Sequence, residues 1–404
     1  MRKRCGTRVP LRCTVTLVAV GALAFVVVGA GQAATNQVSC GDTITQDTKL
    51  DHDLSDCPGD GIIIGADNIT LDLNGHTIDG DGACCDLLDY GIRNGTLFSP
   101  TAGHDHVTIK GGTIRQFAEG VSVFGVREIV LRTLNVSDSS EGIRLHDADD
   151  SVLDLSNVFA NVRGLDLRGS GNNLIRRNSF FDNGSAISII QTSGNNVVEQ
   201  NRIFANSGGG ISAGFVLSGA NRVVNNRLSG NGIVLLKASG FEIEKNVIVH
   251  TSVPALLLLD ADATRIERNV LTHNGAGIDL QMGSSNNRVA RNSVLDNARD
   301  GISLRPFPSA NDGNELLHNV VSRNGGNGIL IRSDNAGNLV RENLTNRNGG
   351  DGIHVYGPAN TLTRNSASRN GDLGIEAVPG VIDGGGNHAE DNGNPIQCVS
   401  VVCS

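Results

Sequence analysis

Gly120-Val121-Ser122-Val123, Gly142-Ile143-Arg144-Leu145, Gly164-Leu165-Asp166-Leu167 and Ala186-Ile187-Ser188-Ile189 are four tetrapeptides of one design, evenly spaced along the chain. A small residue opens each one, and an apolar-x-apolar triplet follows. The series continues at Gly210, Gly232, Ala255, Gly277, Gly301, Gly328, Gly352 and Gly374, with spacing only slightly looser. A recurrence of this length at a nearly fixed period is the signature of a solenoid, in which each unit buries its apolar face only against its neighbours.

A second signal runs through the same units. Asn recurs at 178, 201, 226, 246, 269, 292, 319, 343 and 365. Five residues after each stands Asn183, Asn206, Asn231, Thr251, Asn274, Asn297, Asn324, Asn348 or Asn370, and Asn161 follows Ser156 by the same step. A side-chain amide offers two donors and an acceptor, so amides stacked about 4.8 Å apart can bond along the stack. Asn also tolerates left-handed backbone at tight bends. Two Asn ladders, inward or at corners, are therefore expected, and Asn338, outside both series, is expected to be exposed. Short alternating runs such as Asn196-Val197-Val198-Glu199-Gln200 read as strands of about three to five residues, and helical periodicity is absent. The fold expected is all-β: a single-stranded right-handed parallel β-helix of about 12–14 coils.

The stretch Gly61-Ile62-Ile63-Ile64-Gly65-Ala66-Asp67-Asn68-Ile69-Thr70-Leu71-Asp72-Leu73-Asn74-Gly75-His76-Thr77-Ile78, with the Asn-rich coils after it, resembles the exported right-handed parallel β-helix repeat proteins of bacteria. That group lies in the pectate-lyase-like superfamily and includes NosD-like proteins. The resemblance covers nearly the whole chain after its first residues. It implies the β-helix fold, and for the NosD-like members a link to copper-enzyme maturation.

Arg2, Lys3, Arg4, Arg8 and Arg12 precede an apolar run from Thr14 to Ala30, and Gly31-Gln32-Ala33 has the small-x-small cleavage pattern. This reads as a secretory signal peptide over 1–33, with a retained anchor as the lesser alternative. The domain expectation is then a capping segment over 34–60, repeats over 61–384 and a C-terminal cap over 385–404. A secreted or extracytoplasmic location, at the cell surface or in the periplasm, follows, with no membrane span once the signal is cleaved. Without the signal, 28 basic residues face 42 acidic ones, a balance of −14. So acidic a chain is a poor partner for nucleic acid or anionic membrane.

Six cysteines remain beyond the signal, all near the chain ends. Cys40–Cys57 and Cys398–Cys403 are the natural local disulfides, and the first would contribute about 3 kcal/mol by loop closure. Adjacent Cys84 and Cys85 allow a vicinal bridge or long-range pairing. No CxxC-type metal spacing exists. His76, beside the Asn74-Gly75 turn, and His104 and His106, without a third ligand at metal spacing, read as structural. Asp79-Gly80-Asp81-Gly82 opens like a calcium loop, but the twelfth position is Tyr90, not Glu. Nucleophile elbow, zinc-protease helix and P-loop are all absent, and no cofactor or metal is implied.

Strand alternation turns the middle residue of each triplet, and the residue after it, outward. Two groups stand out there: the charged Arg144, His146, Asp166 and Arg168, and the apolar Val234, Leu236, Leu257 and Leu259. The first is the candidate ligand site, suited to an acidic sugar by the guanidinium fork, or else a surface ion pair. The second marks a protein contact, or the floor beneath the 306–314 insertion. The function expected is polysaccharide binding or processing, by lyase- or hydrolase-like chemistry if the protein is an enzyme. The alternatives are a non-catalytic cell-surface scaffold or adhesin, and a NosD-like metallo-enzyme maturation factor.

Overall fold

The computed structural model describes residues 37–82, 89–96, 103–217 and 219–404. The signal segment 1–33, Cys84 and Cys85 lie outside them. The described chain is a parallel β-helix. One sheet holds sixteen strands, from Asp42–Ile44 to Cys398–Val399, each pairing in parallel with the strand one coil before and after. The array thus runs past the twelve marker coils at both ends, because segments expected only to cap it also contribute strands. At about 4.8 Å per rung this sheet is about 70 Å long. A second sheet carries two strands per coil side by side; Thr108–Arg115 and Val130–Ser137 are long enough to span both columns. Cys40 is bonded to Cys57 and Cys398 to Cys403.

Register explains the triplets. Val121, Ile143, Leu165, Ile187, Ile211 and Ile233 stack in one column of the first sheet, which continues through Leu256, Ile278, Ile302, Ile329, Ile353 and Ile375. All are buried in one core that runs from Ile44 to Ala389. The opening small residue is forced by the corner. A Cβ on Gly142 would lie 2.7 Å from the Gly164 carbonyl and 2.8 Å from the Asn161 amide.

The Asn ladders are inward, and most of their amides bond to the next, with Thr251 interrupting the second ladder. Asn269 is fully buried; its Nδ2 donates to the Ile243 carbonyl (2.8 Å) and to Asn292 Oδ1 (3.0 Å). Its Oδ1 accepts the Asn246 main-chain N–H (2.9 Å) and Asn246 Nδ2 (3.1 Å). Both ladders extend to Asn387 and Asn392, and Asn392 donates to Gln397 Oε1. The structure corrects two expectations. Asn338 is not exposed: it belongs to a third ladder, with Asn173, Asn196 and Asn221 in one run and Asn287, Asn314 and Asn360 in another. Nor does the ladder Asn itself take the left-handed backbone. The residue before it does: Arg177, Gln200, Asn225, Lys245, Arg268, Arg291, His318, Glu342 and Arg364 all have φ between 53° and 57°. Each corner therefore puts strain on a non-glycine residue and offsets it with the buried amide that follows.

Candidate functional site

The outward face of the sixteen-stranded sheet gathers its charged residues in three places. In the first, register places Glu119, Glu141 and Arg163 in one column, Ser122, Arg144 and Asp166 in the next, and Phe124, His146 and Arg168 in the third. The expected quartet is thus brought together, but not as a surface ion pair. Asp166 is 1% exposed, closed over by its neighbours. Arg144 pairs with Glu119 through Nη1 and with Glu141 at 3.1 Å, and its Nε lies 3.9 Å from Asp166. Arg163 Nε donates to Glu141 Oε1 at 2.6 Å, and Ser122 Oγ donates to Glu119 Oε2 at 2.6 Å. Arg168 reaches Asp166 at 3.4 Å and stays partly exposed, as does His146, whose ring centroid lies 5.1 Å from that of Phe124.

Glu119 and Glu141, which the sequence reading missed, are the buried partners that occupy Arg144. They sit three residues before the outward position of the same strand, so the triplet template did not include them. Burial pushes the Glu119 carboxyl above the ordinary range against the pull of Arg144 and Ser122. Burial likewise lowers the His146 imidazole, with Arg168 and Arg144 adding to the effect.

The second cluster repeats the plan. Asp279, 1% exposed, accepts from Ser303 Oγ (2.8 Å) and Gln281 Nε2 (2.7 Å), with Arg305 Nε 3.6 Å away; Arg305 also meets Asp300 at 3.3 Å. Burial raises the Asp279 carboxyl. Between these clusters Val234 lies beside Leu257 and Leu236 beside Leu259, all half-buried. The 306–314 insertion sits elsewhere: Ser309 approaches Gly283, and Phe307 is 80% exposed.

The third cluster joins Asp351, His354 and Glu376. His354 Nδ1 lies 2.6 Å from Asp351 Oδ2 and 3.1 Å from Glu376 Oε2, and Tyr356 stacks on the imidazole with centroids 3.9 Å apart. Burial disfavours the Asp351 charge, yet hydrogen bonds from His354 and the Leu373 N–H hold it below the usual range; burial lifts Glu376 above it. The other histidines singled out in the sequence take simpler forms. His76 meets Asp53, His104 meets Asp67 and His106 meets Glu128 in separate pairs. Asp79 is held by Arg115.

The second sheet carries a feature the sequence reading did not find. Phe159, Phe181 and Phe204 occupy one outward column, stacked nearly parallel with centroids 4.9 and 5.1 Å apart. At the open end of the stack the Arg202 guanidinium lies over the Phe204 ring, 4.6 Å from its centroid. A cavity of about 230 Å³ opens there, lined by Arg202, Ile203, Phe204, Arg227 and Ser229. Arg202 and Arg227 are register partners. Several arginines of this sheet are matched by acids, Arg222 by Glu242 (2.9 Å), Arg268 by Glu244 (2.7 Å) and Arg288 by Glu267 (3.1 Å), while Arg341 is not. Among the described residues neither Arg202 nor Arg227 has an ion-pair partner.

A family described as a right handed beta helix region matches residues 60–228 and 213–367, well over half of the chain. The chain belongs to this family. No curated protein matches this β-helix protein in sequence. Similar solved structures include a periplasmic alginate epimerase, 14% identical over 74% of this chain and 73% of that one (TM-score 0.44). DFA-IIIase from Arthrobacter chlorophenolicus without its lid is 12% identical over 91% and 87% (TM-score 0.45). The tailspike protein of E. coli bacteriophage HK620 is 12% identical over 89% and 73% (TM-score 0.49).

Proposed function

We propose that this β-helix protein binds an acidic polysaccharide, with one uronate unit seated at the cavity beside Phe204. The observation that carries the reading is the unmatched pair Arg202 and Arg227. Two like charges directly opposite on neighbouring strands repel. Several arginines of this sheet are matched with acids, whereas these two face each other beside an apolar wall with none. The Phe204 ring fixes the plane of Arg202 by cation–π contact, so its outer nitrogens are pre-set for a carboxylate. The Phe stack and Ser229 supply an apolar edge and a hydroxyl, the combination a pyranose ring offers in return. An exported setting agrees with the basic-then-apolar leader and the two disulfides.

The test is calorimetric titration with trigalacturonate and with a neutral trisaccharide. Binding of the acid sugar alone, weakened by salt and lost in Arg202→Ala/Arg227→Ala, supports the reading. No uronate binding by the wild type at millimolar ligand overturns it. A second reading keeps the ligand on the first sheet, because Arg168 and His146 remain partly exposed above buried Asp166. Under that reading Arg168→Ala, not the cavity variant, abolishes binding. Reducing-end analysis of the same mixtures shows whether binding is followed by cleavage. Binding that leaves the trigalacturonate intact favours a scaffold or adhesive role.

A further inference from the structure

The three charged places on the first sheet are not alike in their charge balance. Asp166 is flanked by Arg144 and Arg168, and Asp279 by Arg305. The third place holds two carboxylates, Asp351 and Glu376, and among the described residues no Lys or Arg lies within ion-pair distance of either. Asp372 adds a further negative field at Glu376. Among the described residues, the one group facing both carboxyls, which also hydrogen-bond to each other, is a ring nitrogen, His354 Nδ1. It can carry a single proton, so it can donate to one carboxylate at a time. The second contact is left facing an acceptor or a lone pair across 3.1 Å. A partly buried arrangement of this sort is relieved either by a proton shared between the carboxyls or by a bound cation.

From this imbalance we infer that Asp351, His354 and Glu376 form a binding site for a divalent transition-metal ion, zinc foremost. The inference does not rest on the carbohydrate reading. Their ligand atoms all lie within 4.8 Å of one another. A tetrahedral zinc needs its ligands about 3.4 Å apart, given metal–ligand bonds of about 2.0–2.1 Å. Small side-chain rotations that open the 2.6 Å contact between His354 and Asp351 meet that spacing. One imidazole and two carboxylates suit zinc or manganese. They offer no sulfur for Cu(I), and too few oxygens for calcium. The surrounding contacts are those that orient a ligand set. The Leu373 N–H donates to Asp351 Oδ1 at 2.9 Å, which turns Oδ2 toward the site, and Tyr356 fixes the imidazole plane. Glu376 is the half-exposed member, on the side from which an ion enters. Three protein ligands leave a fourth position for water or a ligand atom.

The experiment strips the purified protein with chelator, titrates it with zinc chloride by calorimetry at pH 7.5, and counts bound metal by atomic emission. One ion per chain is expected, with a rise in Tm because the ion binds only the folded state. Half-exposed Glu376→Gln, which should fold, is expected to weaken binding by at least roughly the 10- to 100-fold that loss of an outer-shell partner costs, and His354→Gln by more. The alternative histidine pair, His250 and His273 with centroids 5.7 Å apart, supplies the control: His273→Ala should leave binding unchanged. Cobalt loading should give a visible ligand-field band in the wild type and in His273→Ala but not in His354→Gln. No stoichiometric zinc in the wild type, equal affinity in Glu376→Gln and His354→Gln, or loss only in His273→Ala each overturns the assignment.

Discussion

Replacing Asn269 by Leu removes four hydrogen bonds from a side chain with no solvent access. Two of the partners survive. Asn246 Nδ2 keeps its bond to the Val223 carbonyl at 2.7 Å, and Asn292 Oδ1 still accepts the residue-269 main-chain N–H at 2.9 Å. The other two, the Asn246 main-chain N–H and the Ile243 carbonyl, lose the bond that the Asn269 amide supplied. At about 1–3 kcal/mol for each stranded group the cost is about 2–6 kcal/mol. Burial of the leucine returns about 1.5–3 kcal/mol of it. The expected net loss is about 0.5–3 kcal/mol, concentrated in the adjacent coils because each coil contacts only its neighbours. Asn157 is the comparison: it also bonds a stacked amide, Asn135 Oδ1 at 2.9 Å, but in solvent. Asn157→Ser should cost under about 0.5 kcal/mol. Urea denaturation gives the global difference, and amide exchange shows whether protection falls first around residues 243–246 and 292. If the two variants unfold at the same urea concentration, the ladder is not a source of stability.

Three further outcomes follow from the same geometry. Burial raises the Glu119 carboxyl, so its contribution to stability is fully present below the unfolded-state pKa and is lost as pH rises through the folded value. Glu119→Gln should therefore gain on the wild type between pH 4 and pH 7.5 in paired denaturation curves, and a gain in the opposite direction refutes the assignment. Ala205 holds φ 56° at an exposed corner, so Ala205→Gly should raise stability by about 0.5–1 kcal/mol despite glycine's entropy in the unfolded chain; a drop in Tm contradicts the strain argument. Leu257 lies directly beside Asp279, so Leu257→Asp should lower stability by about 1–3 kcal/mol through lost apolar burial and like-charge opposition, and an unchanged melt would show the block to be idle surface.

The fold was legible because its rule repeats. Any one triplet, such as Gly142-Ile143-Arg144-Leu145, is weak; twelve in near-constant register leave a solenoid as the structure that can bury them all. The third ladder was within reach of the same method. Asn173, Asn196, Asn221, Asn287, Asn314, Asn338 and Asn360 stand five residues before members of the first series, one more step of the spacing already in use. It was obscured because Phe241 and Thr264 interrupt it in mid-array, where the column accepts an apolar or hydroxyl side chain in place of an amide. The left-handed corners were misassigned for a different reason. Asn is the usual residue there, but here the ladder amide is needed inside, so the left-handed backbone falls on the preceding residue, which in the first series is Asn only at Asn225 and elsewhere Arg, Gln, Lys, His or Glu.

The candidate sites were less legible, because their members come from neighbouring coils. The outward list already held Arg144, His146, Asp166 and Arg168, and alternation placed them correctly. It could not show that Asp166 is closed off or that Glu119 and Glu141 occupy Arg144: Glu119 comes from the coil before, and Glu141, on the same strand, lies outside the triplet template. His354 and Glu376 occupy successive outward positions of one column, and Asp351 stands three before the histidine. What brings them together is register: one coil of chain puts Glu376 beside His354 as a helical turn puts residue i+4 beside i. In a β-helix, then, a candidate site has to be sought down the columns, by asking which column breaks its own pattern. Among the described residues, Arg202 and Arg227 on the second sheet stand opposite one another with no acid to answer them. Asp351 and Glu376 on the first sheet have, among those residues, no Lys or Arg within ion-pair distance. Neither imbalance is answered by a charge of opposite sign on a neighbouring coil, which is why the carboxylate and metal-ion tests are aimed at these two places.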